Sequence, residues 1–380
     1  MSILTGKGTC MPGVNIQDLV GGHVAGHTLQ QPFYCDPDVF SLDRERVLDR
    51  LWHLAGHVSR IPAAGDYFLF RICGEEIIIV RGRDGNIHAH YNVCRHRGSR
   101  VCPDYGLHAC RIKVLDGLIF VSLAGEPAGL DEMIRDCRNY LSFHGIENAK
   151  IARRLELPTR ANWKLVVENF IECYHCIPAH PEYCSVHSEL KLLAAGAGVG
   201  TGPEAACLDY AVELNAWKKQ VEALGHPCQE GEFDHGAGMV RMPIKEGFLT
   251  ESQDGRPVST LMGKFREYDG GVTYVAFNYL NYLLASNDHA VILRFTPISE
   301  LVTDVEAIWL VDADAREGVD YVPERVSWVW DVTLKQDAVI TENNQAGILS
   351  SHYQPGPYSE QEVMNCEFTR WYLDKLSEPA

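Results

Sequence analysis

The chain has 380 residues, of which 46% are hydrophobic and 22% charged, so it is long enough for about two globular domains with sizeable cores. Acidic residues outnumber basic ones by 51 to 34, and the formal charge of −17 argues against a nucleic-acid partner, because phosphate-backbone binders are usually basic. No apolar run has the roughly 18 residues of a membrane helix, which excludes a membrane-spanning protein, and no secretory signal opens the sequence. Thirteen cysteines in such a chain predict reduced thiols in the cytoplasm.

The first 125 residues predict an irregular arm followed by a small β domain. Residues 1–45 are rich in Gly, Pro and His, and we assign this arm to the larger domain further along the chain. A helix is expected over 43–57 from the spacing of its apolar residues. Apolar or alternating runs with hairpin breaks between them predict antiparallel strands at 68–72, 76–82, 87–93 and 118–123. Residues 46–125 are therefore expected to form a small antiparallel β domain.

Residues 126–380 predict a larger α+β domain, in which helices flank an antiparallel sheet. A linking helix is expected over 130–143, and a second helix over 162–176 must end near Pro178. The last helix is opened by Ser359, which has capping-box spacing to Glu362. The remaining predicted elements are strands at 271–285, 290–298 and 305–313 and a helix over 323–343.

The segment 162–183 contains a pattern of metal ligands. Glu168, Glu172 and His175 are spaced i, i+4, i+7, so they would share one face of a helix. His180 would lie about 140° away from His175 on a continuous helix, but Pro178 can end the helix and let His180 fold back. Two imidazoles and one carboxylate form the facial triad of Fe(II) oxygenases.

The third ligand must come from another element. The helix over 328–345 contains Asp331, Asp337 and Glu342, and apolar neighbours of Asp337 predict that it faces inward. In most proteins a bare H-x4-H is two unrelated histidines. Two functions other than iron-dependent oxygenation could also use these residues. In a zinc hydrolase Glu172 would be the general base, and a non-catalytic binding protein would hold the metal without turnover.

The pattern E-x3-E-x2-H-x4-H, in the setting ENFIECYHCIPAHPEY, resembles the catalytic α subunits of Rieske non-haem iron oxygenases. The resemblance is strongest to the branch that acts on quaternary ammonium compounds, such as glycine betaine and stachydrine. It covers nearly the whole chain and includes YNVCRHRGSRVC (91–102), NWK (162–164), WDVTLKQD (330–337) and YQPGPYSEQE (353–362). The fold that it implies is a Rieske β domain with a helix-grip catalytic domain.

The resemblance also implies cofactors and roles. His175, His180 and Asp337 would hold a mononuclear Fe²⁺ beside a [2Fe–2S] Rieske cluster, and Glu172 and Asn169 would be catalytic residues. Glu172 would link His175 to a cluster histidine of the neighbouring subunit, because family members are typically homotrimers. An electron-donating reductase and O₂ are the implied partners.

Only half of the Rieske ligand set is present in the sequence. Such a cluster needs two Cys and two His, as C-x-H and a later C-x2-H. Cys94 and His96 form the first pair, whereas the stretch after Cys102 contains no C-x2-H, so the β domain looks truncated. Cys184 and His187 have that spacing but lie in the catalytic region, which indicates coincidence. Either the second pair is missing from the sequence as given, or the chain lacks it.

By the same resemblance, the expected reaction is O₂-dependent hydroxylation of an N-methyl group, followed by loss of formaldehyde. Aromatic faces bind quaternary ammonium ions well, although most aromatic residues on strands serve core packing. A betaine carboxylate would also need a donor such as Arg294 or an Asn. The aromatic candidates for the substrate pocket are Tyr274, Phe277, Tyr279, Tyr282 and Trp309.

Overall fold

The structure is a computed structural model, and it describes residues 15–93, 107–127, 130, 134–135, 137–187, 203–229 and 236–378. Three short helices open the described chain: α1 (Ile16–Gly21), α2 (Pro32–Cys35) and α3 (Pro37–Arg46). The remaining elements form two small sheets and one large sheet with helices packed on it. Among the described residues, no helix is both long and apolar enough to cross a bilayer.

Six strands form two antiparallel sheets of three strands each. Their orders are β1-β6-β5 and β2-β3-β4. In β2 inward and outward side chains alternate strictly, as expected of a sheet with one face in the core. The four strands that the sequence predicts here are confirmed within one or two residues. The strands are β1 (His53–His57), β2 (Tyr67–Ile72), β3 (Glu75–Arg81), β4 (Ile87–Tyr91), β5 (Arg111–Leu115) and β6 (Leu118–Ser122).

The predicted helix over 43–57 is wrong. Asp36 caps α3 by accepting a hydrogen bond from the Asp38 backbone N–H at 2.8 Å, so the helix begins earlier and ends at Arg46. A short 3₁₀ turn follows, and residues 53–57 pair with β6 instead. All five residues of β1 are buried, so this segment forms a strand buried on both faces rather than one helix face.

The large sheet has six antiparallel strands in the order β7-β12-β11-β10-β9-β8. The predicted single strand at 271–285 is a hairpin, because the chain turns at residues 279–280. The Asn278 side-chain oxygen accepts hydrogen bonds from the Leu280 backbone N–H at 2.9 Å and from Asn281 Nδ2 at 2.8 Å, which fixes this turn. The strands are β7 (Ala149–Thr159), β8 (Gly238–Pro243), β9 (Gly271–Asn278), β10 (Asn281–Ala285), β11 (Ala290–Ser299) and β12 (Val302–Asp312).

Seven further helices lie in the part of the chain after β6 that the structure describes. The helix predicted over 162–176 is wrong in its end, because α5 ends at Phe170. Glu362 accepts a hydrogen bond from the Ser359 backbone N–H at 2.8 Å, as in a capping box, but the last helix begins only after Glu362. The helices are α4 (Arg138–His144), α5 (Trp163–Phe170), α6 (Cys176–Ala179), α7 (Pro181–Cys184), α8 (Pro203–Ala223), α9 (Pro323–Ile348) and α10 (Val363–Ser377).

A buried ion pair joins the N-terminal helices to the catalytic region. Asp43 of α3 and Lys164 of α5 form an ion pair, and both side chains are fully buried. Trp163 Nε1–H donates to Asp43 Oδ2 at 3.0 Å, and the Tyr372 hydroxyl donates to Asp43 Oδ1 at 2.6 Å. The described part of the arm therefore packs on α5 and α10, while the domain boundaries themselves stay a prediction.

Replacing Lys164 with methionine is expected to lower the free energy of unfolding by about 3–5 kcal/mol, because the Asp43 charge would stay buried without its cation. Urea denaturation followed by tryptophan fluorescence measures this loss. The control is Lys375→Ala, which removes an exposed pair with Glu378 and is expected to cost less than about 1 kcal/mol. Equal losses in both variants would contradict a special role for the buried pair.

Arg294 of β11 connects the small sheets to the large one. Its guanidinium donates hydrogen bonds to the backbone oxygens of Leu54 and Ala55, the latter at 2.5 Å, and pairs with Glu306. It also lies over the Phe70 ring, 4.7 Å from the centroid. Arg294 of the large sheet thus contacts both small sheets.

Candidate metal centre

Two short helical turns, rather than one long helix, bring the two histidines together. His175 precedes α6 and His180 stands between α6 and α7, where its N–H bonds to the Cys176 oxygen at 2.8 Å. Pro178 lies inside α6, so it does not end the helix as predicted. Pro181 instead opens α7 at a position where its missing N–H costs no hydrogen bond.

The atoms of three predicted ligands form a small triangle. The Nε2 atoms of His175 and His180 are 3.0 Å apart, and Asp337 Oδ1 lies 2.9 Å from His180 Nε2 and 3.3 Å from His175 Nε2. Ligand atoms about 2.1 Å from one ion are about 3.0 Å apart at right angles and about 3.4 Å apart at tetrahedral angles. The triangle is therefore closer to one face of an octahedron than to a tetrahedral site.

The outer nitrogens of both imidazoles have acceptors. His175 Nδ1 lies 2.5 Å from Glu172 Oε1, and His180 Nδ1 lies 2.8 Å from Gln336 Oε1. Protons on these nitrogens leave the two Nε2 lone pairs facing each other, which a cation between them would stabilise. The donor set thus fits a divalent metal ion with several open coordination positions.

The local electrostatics also favour a cation at this place. Burial would lower the pKa of His175, but hydrogen bonds to Asp337 and Glu172 outweigh it and raise this pKa to about 9. Burial would raise the pKa of Asp337, but its contacts with His175 and His180 lower it. A bound metal ion would replace the proton that the triad otherwise shares, so metal binding releases a proton.

Asn169, the second predicted catalytic residue, lies beside the triad. Its amide nitrogen is 2.9 Å from His175 Nε2 and 3.0 Å from Asp337 Oδ1, and its oxygen accepts from the Thr341 hydroxyl at 3.2 Å. Gln336 and Thr341, which were not predicted as site residues, support the triad through His180 and Asn169. Gln336 precedes Asp337, and Thr341 lies one helical turn beyond it on α9. This spacing could have indicated both contacts.

Glu168 lies on α5, whereas Glu172 and His175 lie beyond the end of that helix at Phe170. Glu168 accepts a hydrogen bond from the Tyr34 hydroxyl at 2.8 Å and lines a cavity together with Glu172 and His175. Burial raises the pKa of Glu168 to about 8, although Tyr34 and Lys164 oppose the shift. The expectation of one shared helix face is therefore wrong, because Glu172 and His175 are not part of the helix, and Glu172 contacts His175 from the following loop.

The prediction of reduced thiols does not hold for two of the cysteines. Cys173 and Cys176, which flank His175, form a disulfide and both line the metal cavity. This disulfide closes the short loop that carries His175. The described free cysteines are Cys35, Cys73, Cys110, Cys137, Cys184, Cys228 and Cys366.

A cavity of about 110 Å³ adjoins the triad, and a second, largely apolar cavity of about 260 Å³ lies next to it. Phe170, Tyr183 and Tyr274 line both cavities. Of the predicted pocket residues, Tyr274, Tyr279 and Tyr282 line the second cavity. The structure brings neither Phe277 nor Trp309 to these cavities, since the Phe277 ring packs on Phe120 and Trp309 is fully buried.

The Rieske half-site lies mostly outside the described residues. This holds for Cys94, for His96 and for the stretch directly after Cys102, where the second pair was expected. Among the described residues of the region, Cys110 donates its thiol to the Ser122 oxygen at 3.3 Å, and burial raises its pKa to about 11. A buried neutral thiol of this kind is a poor cluster ligand.

The C-x2-H pair further along the chain is engaged elsewhere. The Cys184 thiol donates to the Cys176 oxygen at 3.3 Å, and His187 lies 3.2 Å from Glu251. The printed sequence therefore supplies one Cys and one His of the two of each that a Rieske cluster needs, so it does not fit the complete group.

Two family descriptions match the chain in succession. The Rieske [2Fe–2S] domain matches residues 51–113, and the ring-hydroxylating α-subunit catalytic domain matches residues 146–378. A Rieske cluster and a mononuclear iron are the cofactors that these two domains imply.

Relatives and solved structures agree with these matches. The glycine betaine monooxygenase oxygenase subunit of Pseudomonas aeruginosa is 34% identical over 94% of this chain and 91% of its own length. The carnitine monooxygenase oxygenase subunit of Escherichia coli is 28% identical over 41% of this chain and 53% of its own. The quaternary ammonium Rieske monooxygenase CntA in complex with L-carnitine has a TM-score of 0.66 at 15% identity, over 97% of this chain and all of that one. The chain therefore belongs to the family of Rieske-type iron oxygenase α subunits, with a Rieske domain followed by a ring-hydroxylating catalytic domain.

Proposed function

We propose that the chain is the oxygenase component of an O₂-dependent N-demethylase that acts on a small quaternary ammonium betaine. The observation that carries the proposal is a facial metal triad that opens into a cavity lined by aromatic rings. Among the described lining residues there is no Lys or Arg to repel a cation. The 34% identity to a glycine betaine monooxygenase subunit makes glycine betaine the first candidate, and stachydrine is the second.

The proposed reaction balances with O₂ and a two-electron donor. One oxygen atom enters a C–H bond of an N-methyl group, and the other leaves as water with two electrons and two protons. The N-hydroxymethyl cation then splits into formaldehyde, a proton and the demethylated amine. The iron, when bound, supplies the activation of O₂ through its open coordination positions. The electrons come from a separate reductase.

The residues of the chain bind and orient the reactants. Phe170, Tyr183 and Trp330 present aromatic rings beside the triad, and such faces attract a desolvated quaternary ammonium ion. The apolar wall of the second cavity excludes water from the reacting methyl group. Glu172 holds the proton on His175 Nδ1, which keeps the imidazole oriented with Nε2 toward the metal.

The geometry is less compatible with a zinc hydrolase. A general base must reach a metal-bound water, whereas Glu172 contacts the nitrogen of His175 that faces away from the metal position. The near-octahedral triangle also differs from the tetrahedral arrangement that zinc prefers. A non-catalytic protein is favoured by one observation, the missing half of the Rieske ligands.

We further propose that the protein is a homotrimer in the cytoplasm.

Fe(II)-loaded protein supplied with hydrogen peroxide is expected to release formaldehyde from glycine betaine in equal amounts with dimethylglycine. Hydrogen peroxide is O₂ that already carries the two electrons of the reaction. The assay therefore needs no electrons from a Rieske cluster. Mass spectrometry of the amine and a colorimetric formaldehyde assay measure the products. Asp337→Ala protein is the negative control. Turnover of a neutral aromatic hydrocarbon, with none of any methylammonium, would contradict the proposal.

A further inference from the structure

A third cavity, of about 240 Å³, is lined by charged residues and shares no lining residue with the two cavities beside the triad. Its walls come from β2, from β7, β11 and β12 of the large sheet, and from the 3₁₀ turn that ends at Arg60. Four arginines and three acids line it. The cavity has about eight times the roughly 30 Å³ that one water molecule occupies in the liquid, which leaves room for a small molecule.

Four of these seven charges neutralise one another. The buried Glu306 carboxylate pairs with Arg154 and Arg294. Arg154 also pairs with Glu156, at 2.6 Å. Burial would raise the pKa of Glu306, but the two arginines outweigh it and lower this pKa. Two cations and two anions of the cavity wall thus form one closed network of ion pairs.

One cation of the cavity wall has no anionic partner. Within the described part of the chain, the Arg60 guanidinium makes no hydrogen bond or ion pair, and it lies over the Phe68 ring, 4.0 Å from the centroid. Arg71, in contrast, pairs with Glu76 at 3.1 Å. Burial and the nearby Arg154 lower the pKa of Arg60 to about 10. An anionic group beside Arg60 would offset both effects.

One carboxylate of the cavity wall is unpaired as well. The side chain of Asp304 on β12 has no hydrogen bond or ion pair with any described residue. Burial raises the pKa of Asp304, and Glu156 adds to the rise although Arg294 opposes it. Arg60 and Asp304 are not partners of each other, because no nitrogen–oxygen contact within 4.0 Å joins them. The cavity therefore presents a cation and an anion that its own wall leaves unmatched.

The geometry points to this cavity as a binding site for a small zwitterionic amino acid, whose carboxylate binds Arg60 and whose ammonium group binds Asp304. A planar guanidinium can hold a carboxylate through two parallel hydrogen bonds. An ion of a single sign would meet a like charge in the same cavity, which disfavours simple anions and cations. The described lining residues include no aromatic side chain, so a quaternary ammonium finds no ring face, whereas an ammonium with N–H groups can donate to Asp304.

The test is isothermal titration calorimetry on Fe(II)-loaded protein without O₂. Glycine, β-alanine and 4-aminobutyrate are the probes, because the distance between their two charges increases in that order. At least one of them is expected to bind, with a Kd at least about tenfold lower than those of acetate and methylammonium, which each lack one of the two charged groups.

Two variants remove one charge of the site each. In Arg60→Gln and in Asp304→Asn the Kd of the amino acid is expected to rise by about tenfold to a hundredfold, the effect of losing a hydrogen bond to a charged group. An amino acid bound directly to the iron would not respond to either change. The matched control is Arg316→Gln, which removes an exposed partner of Asp320 outside the cavity and should leave the Kd unchanged. An iron content of about one per chain shows that each variant is folded, and Asp304→Asn decides the test if Arg60→Gln does not fold.

Three outcomes would overturn the zwitterion site. An unchanged Kd in both charge variants would exclude this cavity as the place of binding. Acetate bound as tightly as the best amino acid would show a simple anion site at Arg60. Wild-type protein that binds none of the three amino acids would show that the unmatched charges are only solvated. The proposed function would stand in each case, because it depends on the triad and the two cavities beside it.

Discussion

Replacing Asp337 with alanine is expected to abolish iron binding, from about one mononuclear iron per chain to less than about a tenth of that. Asp337 is the one anionic ligand of the triad, and its Oδ1 lies within 3.3 Å of both His Nε2 atoms. Mutation of residues that only support metal ligands already costs about 10- to 100-fold in affinity, so loss of the ligand itself should cost more. Elemental analysis after anaerobic Fe(II) loading and dialysis measures the stoichiometry.

Two acids of the same helix provide matched controls. Asp331 pairs with Arg153 at 3.2 Å and Lys335 at 2.6 Å, and Glu342 pairs with Arg160 at 2.8 Å, so neither faces the triad. Asp331→Ala and Glu342→Ala should therefore retain the iron. Iron retained in the Asp337 variant and lost in either control would exclude the triad as the binding site.

The sequence predicted the three ligands without predicting the backbone that positions them. His175 and His180 are close in the chain, so any break between them could bring them together, and the resemblance supplied Asp337. The end of α5 could not be predicted, because residues 171–175 continue the apolar spacing of the helix without an obvious stop signal. The contact between Glu172 and His175, which are three residues apart, forms in the loop that follows the helix.

The residues that line the cavities could be predicted only in part from the sequence. Tyr274 and Phe277 are both aromatic residues of β9, but side chains alternate along a strand, and Phe277 packs in the core on the opposite face of the sheet. Trp309 shares the face of Tyr274, yet β12 is separated from β9 by two other strands. Strand order depends on long-range pairing, which a single sequence does not reveal.

The second prediction with a large expected effect concerns the Rieske cluster. The match to the glycine betaine monooxygenase subunit extends over 402 positions, more than the 380 residues of this chain, so that relative has residues within the matched region that this chain lacks. Protein of the printed sequence is expected to contain about one iron per chain and no acid-labile sulfide, because the second Cys and His of a Rieske cluster are absent. Iron and sulfide analysis of protein purified without O₂ measures both quantities.

Insertion of a segment that carries a C-x2-H pair between Cys102 and His108 is expected to raise the content to about three irons and two sulfides per chain. A thiolate pair and an imidazole pair are both required, since each iron of the cluster takes two protein ligands. The control is the same insert with its Cys and His changed to Ser and Ala, which keeps the added length and should bind no cluster.

With the complete insert, reductase-driven release of formaldehyde from glycine betaine should accompany the sulfide, whereas the control insert should support only the peroxide-driven reaction. The comparison separates loss of the electron path from loss of the iron site, because the triad is the same in both proteins. Two sulfides per chain in protein of the printed sequence would contradict the prediction, and would require cluster ligands other than a C-x2-H pair after Cys102.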